Sequence, residues 1–544
     1  MLQCSIRKRC KVYFSKYYPV VFLSIGILYI CSLSGNWKPE WDSAYYLMIA
    51  KSLIAGDGFS YLGYPCLKIP FGFPVLIAPV LWLCKYSFFW LNVYMLVFAF
   101  CAFTAVFLYC YRQFSLLYAA LVTILTGWSC LVLTYSSYIM IDIPYLASSF
   151  LALYFMRLYT QRPGLRYGLL TTVFVLISFF LRTIGIALAA GMVLFLFLKH
   201  REMLKSIQLV FLAILFLIPS VWWVAHNNSV EIDTGDPVWQ LVEFVTSKEE
   251  AKRYRFDDPM IQVNGPVDII KRGVINAGYY AGVMFSLVSA INVDLKKENL
   301  LNHPLWLFVL IGLVATLVLA GFIQSIVKKK TVLDMYVLFY LCVLLTWSAR
   351  EPRYLIPVLP ALIHYFLTGL NVLETFIGYL LPKTKIILTK VTLWSTIVIL
   401  AWYFAAHGIQ NVKILKRQHA KDYYSDKMQD FFSSAAWLKN NTVYDSRVVS
   451  VLAPVASLFS ERSCFSFPRV DDLYFLLSYF CKINSDYVLV NSSYDREELY
   501  LKKMISNYKN IFTRKYATGG ATVYQINREV LQNECVICKP SGTF

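Results

Sequence analysis

The sequence predicts a multispanning α-helical membrane protein, about eleven transmembrane helices with a small extracytoplasmic α/β domain behind them, and three observations predict it. Of its 544 residues 58% are hydrophobic and 17% aromatic, and mean hydropathy is +0.55, too apolar for a chain that folds in water. The apolar residues fall in runs close to the roughly 20 residues that a bilayer core of about 30 Å requires of a helix. The lysines and arginines behind the formal charge of +19 gather between those runs, where they fix topology, so nucleic acid is excluded as the partner of this charge.

Taken in order, the chain opens on RKRCK and an apolar run from Val20 to Leu33. No small-residue cleavage site follows, so this reads as an uncleaved first span with its N-terminus in the cytoplasm. The spans lie near 18–35, 87–110, 115–135, 143–157, 166–181, 183–198, 206–225, 304–326, 331–347, 353–371 and 386–406. With the N-terminus inside, every inner connection carries cations: Arg112; Arg157, Arg162 and Arg166; Lys199, Arg201 and Lys205; Lys328, Lys329 and Lys330; Lys383, Lys385 and Lys390. The run from Tyr167 to Leu198 would make a straight helix of roughly 48 Å, too long for one crossing. Two short helices turning at LRTIG resolve this and bring Arg182 to the headgroup level.

Three segments fall outside. Within 36–86, WDSAYYLMIAKSLIAG places Asp42, Tyr45, Tyr46 and Ile49 at helical spacing, with Gly56 and Gly58 as a stop, which predicts an interfacial helix. KIPFGFPVLIAPVLWL is short and proline-rich, the pattern of a shallow helix in the outer leaflet. Residues 226–300 mix both charges with Gly and Pro and read as a mobile flap. These loops belong to a transmembrane domain over 1–410. In the tail, 411–544, SRVVSVL, DYVLV and ATVYQI alternate like strands, and YSDKMQDFFSSAAWL, DDLYFLLSYF and REELYLKKMISNY have helical spacing. Asp257 with Asp258 and Asp471 with Asp472 read as solvated faces. Among the 13 cysteines, Cys535 and Cys538 form a lone CVIC that favours a disulfide or a frayed tail over a zinc site. The spacing leaves the pairing of Cys464, Cys481, Cys535 and Cys538 open.

Phosphate loops, HExxH and GxSxG in a strand-turn-helix setting are absent from the sequence, so nucleotide hydrolysis, zinc proteolysis and hydrolase chemistry lack their parts. The polar candidates gather at the outer mouth: Asp42, Asp142 in SSYIMIDIP, Arg182, and Arg350, Glu351, Arg353 and Tyr354 in SAREPRYLIP. Carboxylates and arginines at a bilayer surface suit a lipid phosphate, with the tail in hydrocarbon, Arg182, Arg350 and Arg353 on the phosphate and an acid handling a proton.

WDSAYYLMIAKSLIAGDGFSY, PFGFPVLIAP, SSYIMIDIPYLASSFLALYF, LRTIGIAL and EPRYLIPVLP, in this order, resemble the signatures of polyprenyl-phosphate-dependent glycosyltransferases of the GT-C fold, similar to the bacterial aminoarabinose transferases and the protein O-mannosyltransferases. The resemblance covers most of the membrane part. It implies a sugar donor on undecaprenyl or dolichyl phosphate, a glycan, lipid A or protein acceptor, inversion at the anomeric carbon, and a bacterial inner membrane. Asp42 matches the family's acid after the first span, the general base or acceptor-positioning group. Asp142 matches the acid that opens the fourth span and orients acceptor or base. Many relatives carry a second acid beside the first; here Glu40 is the candidate substitute. Tyr45, Tyr46 and Tyr354 are the further candidate substrate contacts. No cofactor is assigned; two carboxylates with waters are compatible with a divalent metal, but no ligand set is complete.

Plainer roles stand beside these. Asp42 and Asp142 suit helix caps, Arg182 and Arg353 suit snorkelling anchors, and Tyr45 and Tyr46 suit an interfacial aromatic belt. A transporter or flippase of lipid-linked glycans is the alternative function, for which repeated halves and mid-membrane charges would be expected.

Overall fold

The computed structural model describes residues 19, 22–66, 69–204, 207–229, 253–255, 258–291, 304–380, 385–467, 472–491 and 495–537. The basic cluster at the N-terminus, Lys205, Lys383, Asp257, Asp471 and Cys538 lie outside them. The chain divides into two compact units, one of 1–36, 87–225 and 266–419, the other of 37–86, 226–265 and 420–544.

The first unit is helical. Among the described residues five helices are long and apolar enough to cross a membrane: Phe88–Gln113, Ile207–His226, Leu305–Lys328, Pro352–Leu380 and Lys390–Gln418. The pair Leu116–Trp128 and Cys130–Ser136, bent by 63°, makes a sixth if taken as one span. Of the other five expected spans, Leu165–Leu181, Thr183–Lys199 and Val332–Thr346 hold only 10–17 residues, below the roughly 20 of a full crossing, Asp142–Gln161 has the length but carries Asp142, Arg157 and several hydroxyls, and the first lies partly outside the described residues.

The 63° bend frees backbone groups that hydrocarbon cannot satisfy, and side chains of Lys385–Gln418 take them. Tyr403 donates to the carbonyl of Leu125 (2.6 Å), Asn411 to that of Trp128 (2.9 Å), and the N–H of Cys130 donates to His407 Nδ1 (3.1 Å). With Nδ1 accepting, the proton sits on Nε2, which donates to the carbonyl of Leu287 (2.9 Å). Elsewhere the backbones of Leu305–Lys328 and Leu359–Leu380 touch: a Cβ on Gly321 would lie 1.9 Å from the Tyr365 carbonyl oxygen, and one on Gly369 2.0 Å from that of Leu317.

The segment 226–300, expected as a flap, instead contains the 24-residue helix Pro266–Ser289, which packs on Leu305–Lys328 and Val332–Thr346. Its apolar face is interrupted by Arg272 and Asn276, and that interruption hid it. Both are buried, and Asn276 Nδ2 donates to the carbonyls of Leu345 and Trp347 (2.8 Å each), tying the helix to the end of its neighbour.

The second unit joins residues from all along the chain. Helix Trp41–Ala55 stops at Gly56 as the sequence requires, a short hairpin pairs Ser60–Tyr61 with Tyr64–Pro65, and Gly72–Leu83 follows. A five-stranded sheet has the order Ser463–Phe465, Arg447–Ser450, Tyr487–Asn491, Ala521–Ile526, Phe512–Ala517. The first three strands are parallel; Ala521–Ile526 runs antiparallel to both neighbours, with Leu489 opposite Val523. The core beneath it contains Val449, Val488, Leu477 and Phe480 together with Tyr45, Ile49, Tyr61 and Cys66. The division expected at 410 therefore falls elsewhere, because residues 37–86 share the tail's core. Asp472, expected on a solvated face, caps Leu473–Lys482 by accepting from the N–H groups of Tyr474 and Phe475 (2.9 and 3.1 Å).

Cys535 pairs with Cys481, 54 residues away in sequence, which answers the open pairing and removes Cys535 from any CVIC metal site. Cys464 stays a free thiol; burial pushes it up to about 11, so it is a protonated core residue. Closing a loop of this length restricts the unfolded chain, so Cys535→Ser is expected to cost this unit about 2–4 kcal/mol. The check is the thermal midpoint of the parent with and without reductant, which should fall toward that of the variant.

Candidate active site

Asp142 is the first residue of helix Asp142–Gln161, where an acid is favoured by the helix dipole and Pro144 is tolerated because first-turn N–H groups have no helical partner. It is not a cap: the N-cap is Ile141 and no side-chain cap bond forms. The carboxylate, fully buried, accepts instead from Arg182 Nη1 at Oδ1 (2.8 Å), while Arg353 Nη1 stands 4.0 Å from Oδ2.

Arg182 arrives there because helix Leu165–Leu181 ends at it in an extended conformation, followed by the turn Thr183–Gly185. The chain folds back so tightly that a Cβ on Gly185 would meet the backbone N of Phe179 at 2.6 Å; only glycine fits. Ser178 Oγ donates to Ser148 Oγ (2.9 Å), pinning the helix that carries Arg182 to the one that begins with Asp142. Arg182 thus has a buried anionic partner, and the expectation that it merely snorkels is replaced by an ion pair.

Arg353 and Tyr354 open the 3₁₀ turn Pro352–Val358. The Tyr354 ring carries both guanidiniums, Arg182 at 4.4 Å and Arg353 at 5.5 Å, and its carbonyl accepts from Tyr340 (2.7 Å). Arg353 Nη1 also lies 3.4 Å from Met140 Sδ. Arg350, three residues earlier, is half-buried and forms no ion pair with Asp142. Tyr340 and Tyr280, the latter beside Tyr354 and Arg182, complete the aromatic wall. Neither was singled out in the sequence; the only signal was Tyr336 and Tyr340 one helical turn apart.

Two guanidiniums oriented by one carboxylate and faced by an aromatic ring can present N–H groups in the planar pattern that matches phosphate oxygens. A divalent cation does not fit at Asp142, since one oxygen is occupied by Arg182 and Arg353 approaches the other. Among the described residues no three His, Cys, Asp or Glu side chains gather as metal ligands.

The other candidates lie in the second unit. Asp42 is half-buried in the first turn of Trp41–Ala55, and Glu40, the N-cap position, pairs with Lys38 at 3.6 Å without a side-chain cap bond. Tyr45 is buried against Tyr61 (ring centroids 4.6 Å) with its hydroxyl 3.3 Å from Cys66 Sγ, and Tyr46 packs edge-on against Phe73 (5.0 Å). Both rings serve the packing of that unit rather than an exposed aromatic belt.

No protein-family model matches the sequence, and no curated protein matches it. Solved structures do. Apo ArnT from Cupriavidus metallidurans aligns with 95% of this chain and 99% of its own at a TM-score of 0.59 and 10% identity. The same protein bound to undecaprenyl phosphate aligns with 94% and 98% at 0.55 and 10%. The archaeal oligosaccharyltransferase AglB from Archaeoglobus fulgidus, in complex with an inhibitory peptide and a dolichol-phosphate, aligns with 95% of this chain and 75% of its own at 0.53 and 11%. At such identities the likeness is one of fold, and the fold of this chain is the GT-C fold of those glycosyltransferases.

Proposed function

We propose that the chain is an integral membrane glycosyltransferase that moves a sugar from a polyprenyl-phosphate carrier to a hydroxyl of a glycan, lipid A or protein. The observation that carries this reading is the Asp142-held pair of Arg182 and Arg353 against Tyr354. The neighbours in fold, one bound to undecaprenyl phosphate and one to a dolichol-phosphate, support the class of carrier. In the reading the chain crosses a bacterial inner membrane about eleven times, the shorter helices included, with the N-terminus in the cytoplasm and the sheet unit outside.

Asp42 takes the proton of the acceptor hydroxyl as its oxygen bonds to the anomeric carbon. The bond from that carbon to the phosphate oxygen breaks from the opposite face, inverting the centre, and its electron pair leaves with the polyprenyl phosphate. Arg182 and Arg353 stabilise that departing charge. Glu40 and Arg350 are supporting groups for proton and phosphate.

Asp42→Asn keeps the size and removes the base. Purified protein in lipid nanodiscs, supplied with a panel of polyprenyl-phosphate sugars, is expected to lose about 10²–10⁴-fold in kcat, with donor binding nearly unchanged. Undiminished transfer would remove Asp42 from the chemistry. A parent that transfers no sugar from any donor would overturn the enzyme reading.

A further inference from the structure

Val332–Thr346 is a 15-residue helix whose C-terminal end leads into the segment carrying Arg353 and Tyr354. At its other end, about 22 Å away by helical rise, the first unit holds a polar cleft of about 370 Å³, within the ~300–1,000 Å³ of ligand pockets. Its lining is Lys328, Lys329, Gln324, Ser325, His364 and Tyr118, with further hydroxyl and amide groups around them.

Three observations make this more than a topological cluster of lysines. Ser325 is 3% exposed, yet its hydroxyl has no hydrogen-bond partner among the described residues, and the Gln324 amide oxygen is likewise buried and unpaired. Such groups cost free energy unless something fills the site. His364 is 4% exposed with Nδ1 held by the Tyr118 hydroxyl (2.7 Å), which fixes the ring and leaves Nε2 as its remaining polar atom. The carbonyl of Ser325, a helix-end group that would repel an anion, is already taken by the N–H groups of Lys329 and Lys330 (2.8 and 3.0 Å).

Charge has the same sense. The Lys329 ammonium lies 4.8 Å over the Phe114 ring, which orients it, and Lys199 donates to the Lys329 carbonyl, adding a third cation at this end. The buried acid in the first turn of Val332–Thr346, Asp334, has both oxygens occupied within the protein: Oδ2 accepts from the N–H and hydroxyl of Thr331 (2.7 and 2.8 Å) and Oδ1 from Tyr365 (2.9 Å).

We propose that this cleft binds a phosphate-bearing anion, a site separate from the Asp142 cluster. Lys328 and Lys329 hold the phosphate as point charges, Ser325 Oγ donates to one of its oxygens, and His364 Nε2 contacts the group beyond it. The same chemistry fits the headgroup of an anionic phospholipid and a free phosphate monoester.

The full chain in nanodiscs of phosphatidylcholine is titrated with inorganic phosphate and, separately, with phosphatidylglycerol, and retained phospholipid is counted by native mass spectrometry. The comparison set is Lys328→Gln with Lys329→Gln, Ser325→Ala, and Lys330→Gln, whose side chain does not line the cleft. The parent is expected to bind one phosphate-bearing molecule, the double lysine variant to lose at least about tenfold in affinity, Ser325→Ala about three- to tenfold, and Lys330→Gln to match the parent. Displacement of the lipid by inorganic phosphate marks a small phosphate as the ligand, and its failure to displace marks the lipid. No binding of either probe by the parent overturns the proposal, as does an equal loss in Lys330→Gln, which would reduce the effect to surface charge.

Discussion

Asp142→Asn is expected to destabilise the helical unit by about 3 kcal/mol, the lower end of what removing one partner of a buried ion pair costs. The side chain of Asp142 is 1% exposed and those of Arg182 and Arg353 are 19% and 13%, so the guanidiniums left behind have little water to turn to. Asparagine is nearly isosteric and caps helices as well as aspartate does, so a capping role predicts almost no loss and an ion-pair role predicts a large one. The measurement is the unfolding midpoint in detergent. Combining Asp142→Asn with Arg182→Gln removes an unpaired charge, so the double variant should be more stable than the sum of the two single losses implies. A loss under about 0.5 kcal/mol in Asp142→Asn would refute the ion pair as the device that orders this site.

Gly321→Ala is the second large effect. The added methyl would stand 1.9 Å from the Tyr365 carbonyl oxygen, and backbone cannot rotate aside as a side chain can. The helices must separate, and overpacking of this kind costs about 1–3 kcal/mol or more. Separation also moves Tyr365, whose hydroxyl donates to Asp334 and so ties this contact to the capping box Thr331–Asp334. Gly312→Ala on the same helix meets nothing within 4 Å and is expected to gain up to about 1 kcal/mol from helix propensity. Equal behaviour of the two variants in thermal or denaturant unfolding would contradict the close contact.

The parts legible in the sequence were those written in local pattern. Every expected strand of the tail, SRVVSVL, DYVLV and ATVYQI, overlaps an observed one, because alternation and β-branched residues are local signals. Phe512–Ala517 was not legible: FTRKYA carries three consecutive exposed residues on an edge strand and has no apolar alternation. The break at Arg182 could be read from length alone, since a largely apolar run of 32 residues, Tyr167 to Leu198, exceeds one bilayer crossing. Its partner could not, because Asp142 lies 40 residues away and only the turn at Gly185 and the Ser148–Ser178 bond bring the two together. Pro266–Ser289 was hidden for a related reason: Arg272 and Asn276 are polar by identity and buried by tertiary contact.

The shared core of the second unit sets a timetable for synthesis. Tyr45, Ile49, Tyr61 and Cys66 leave the ribosome about 400 residues before Val449 and Val488, which at 5–20 residues per second is a wait of roughly 20–80 s. Through that interval the helical unit is being inserted while these side chains have no sheet to bury them. The first segment must therefore be kept soluble by the membrane surface or a chaperone until the last strands arrive. A nascent chain arrested before Val449 should show Cys66 open to thiol labelling, and the finished chain should show it closed.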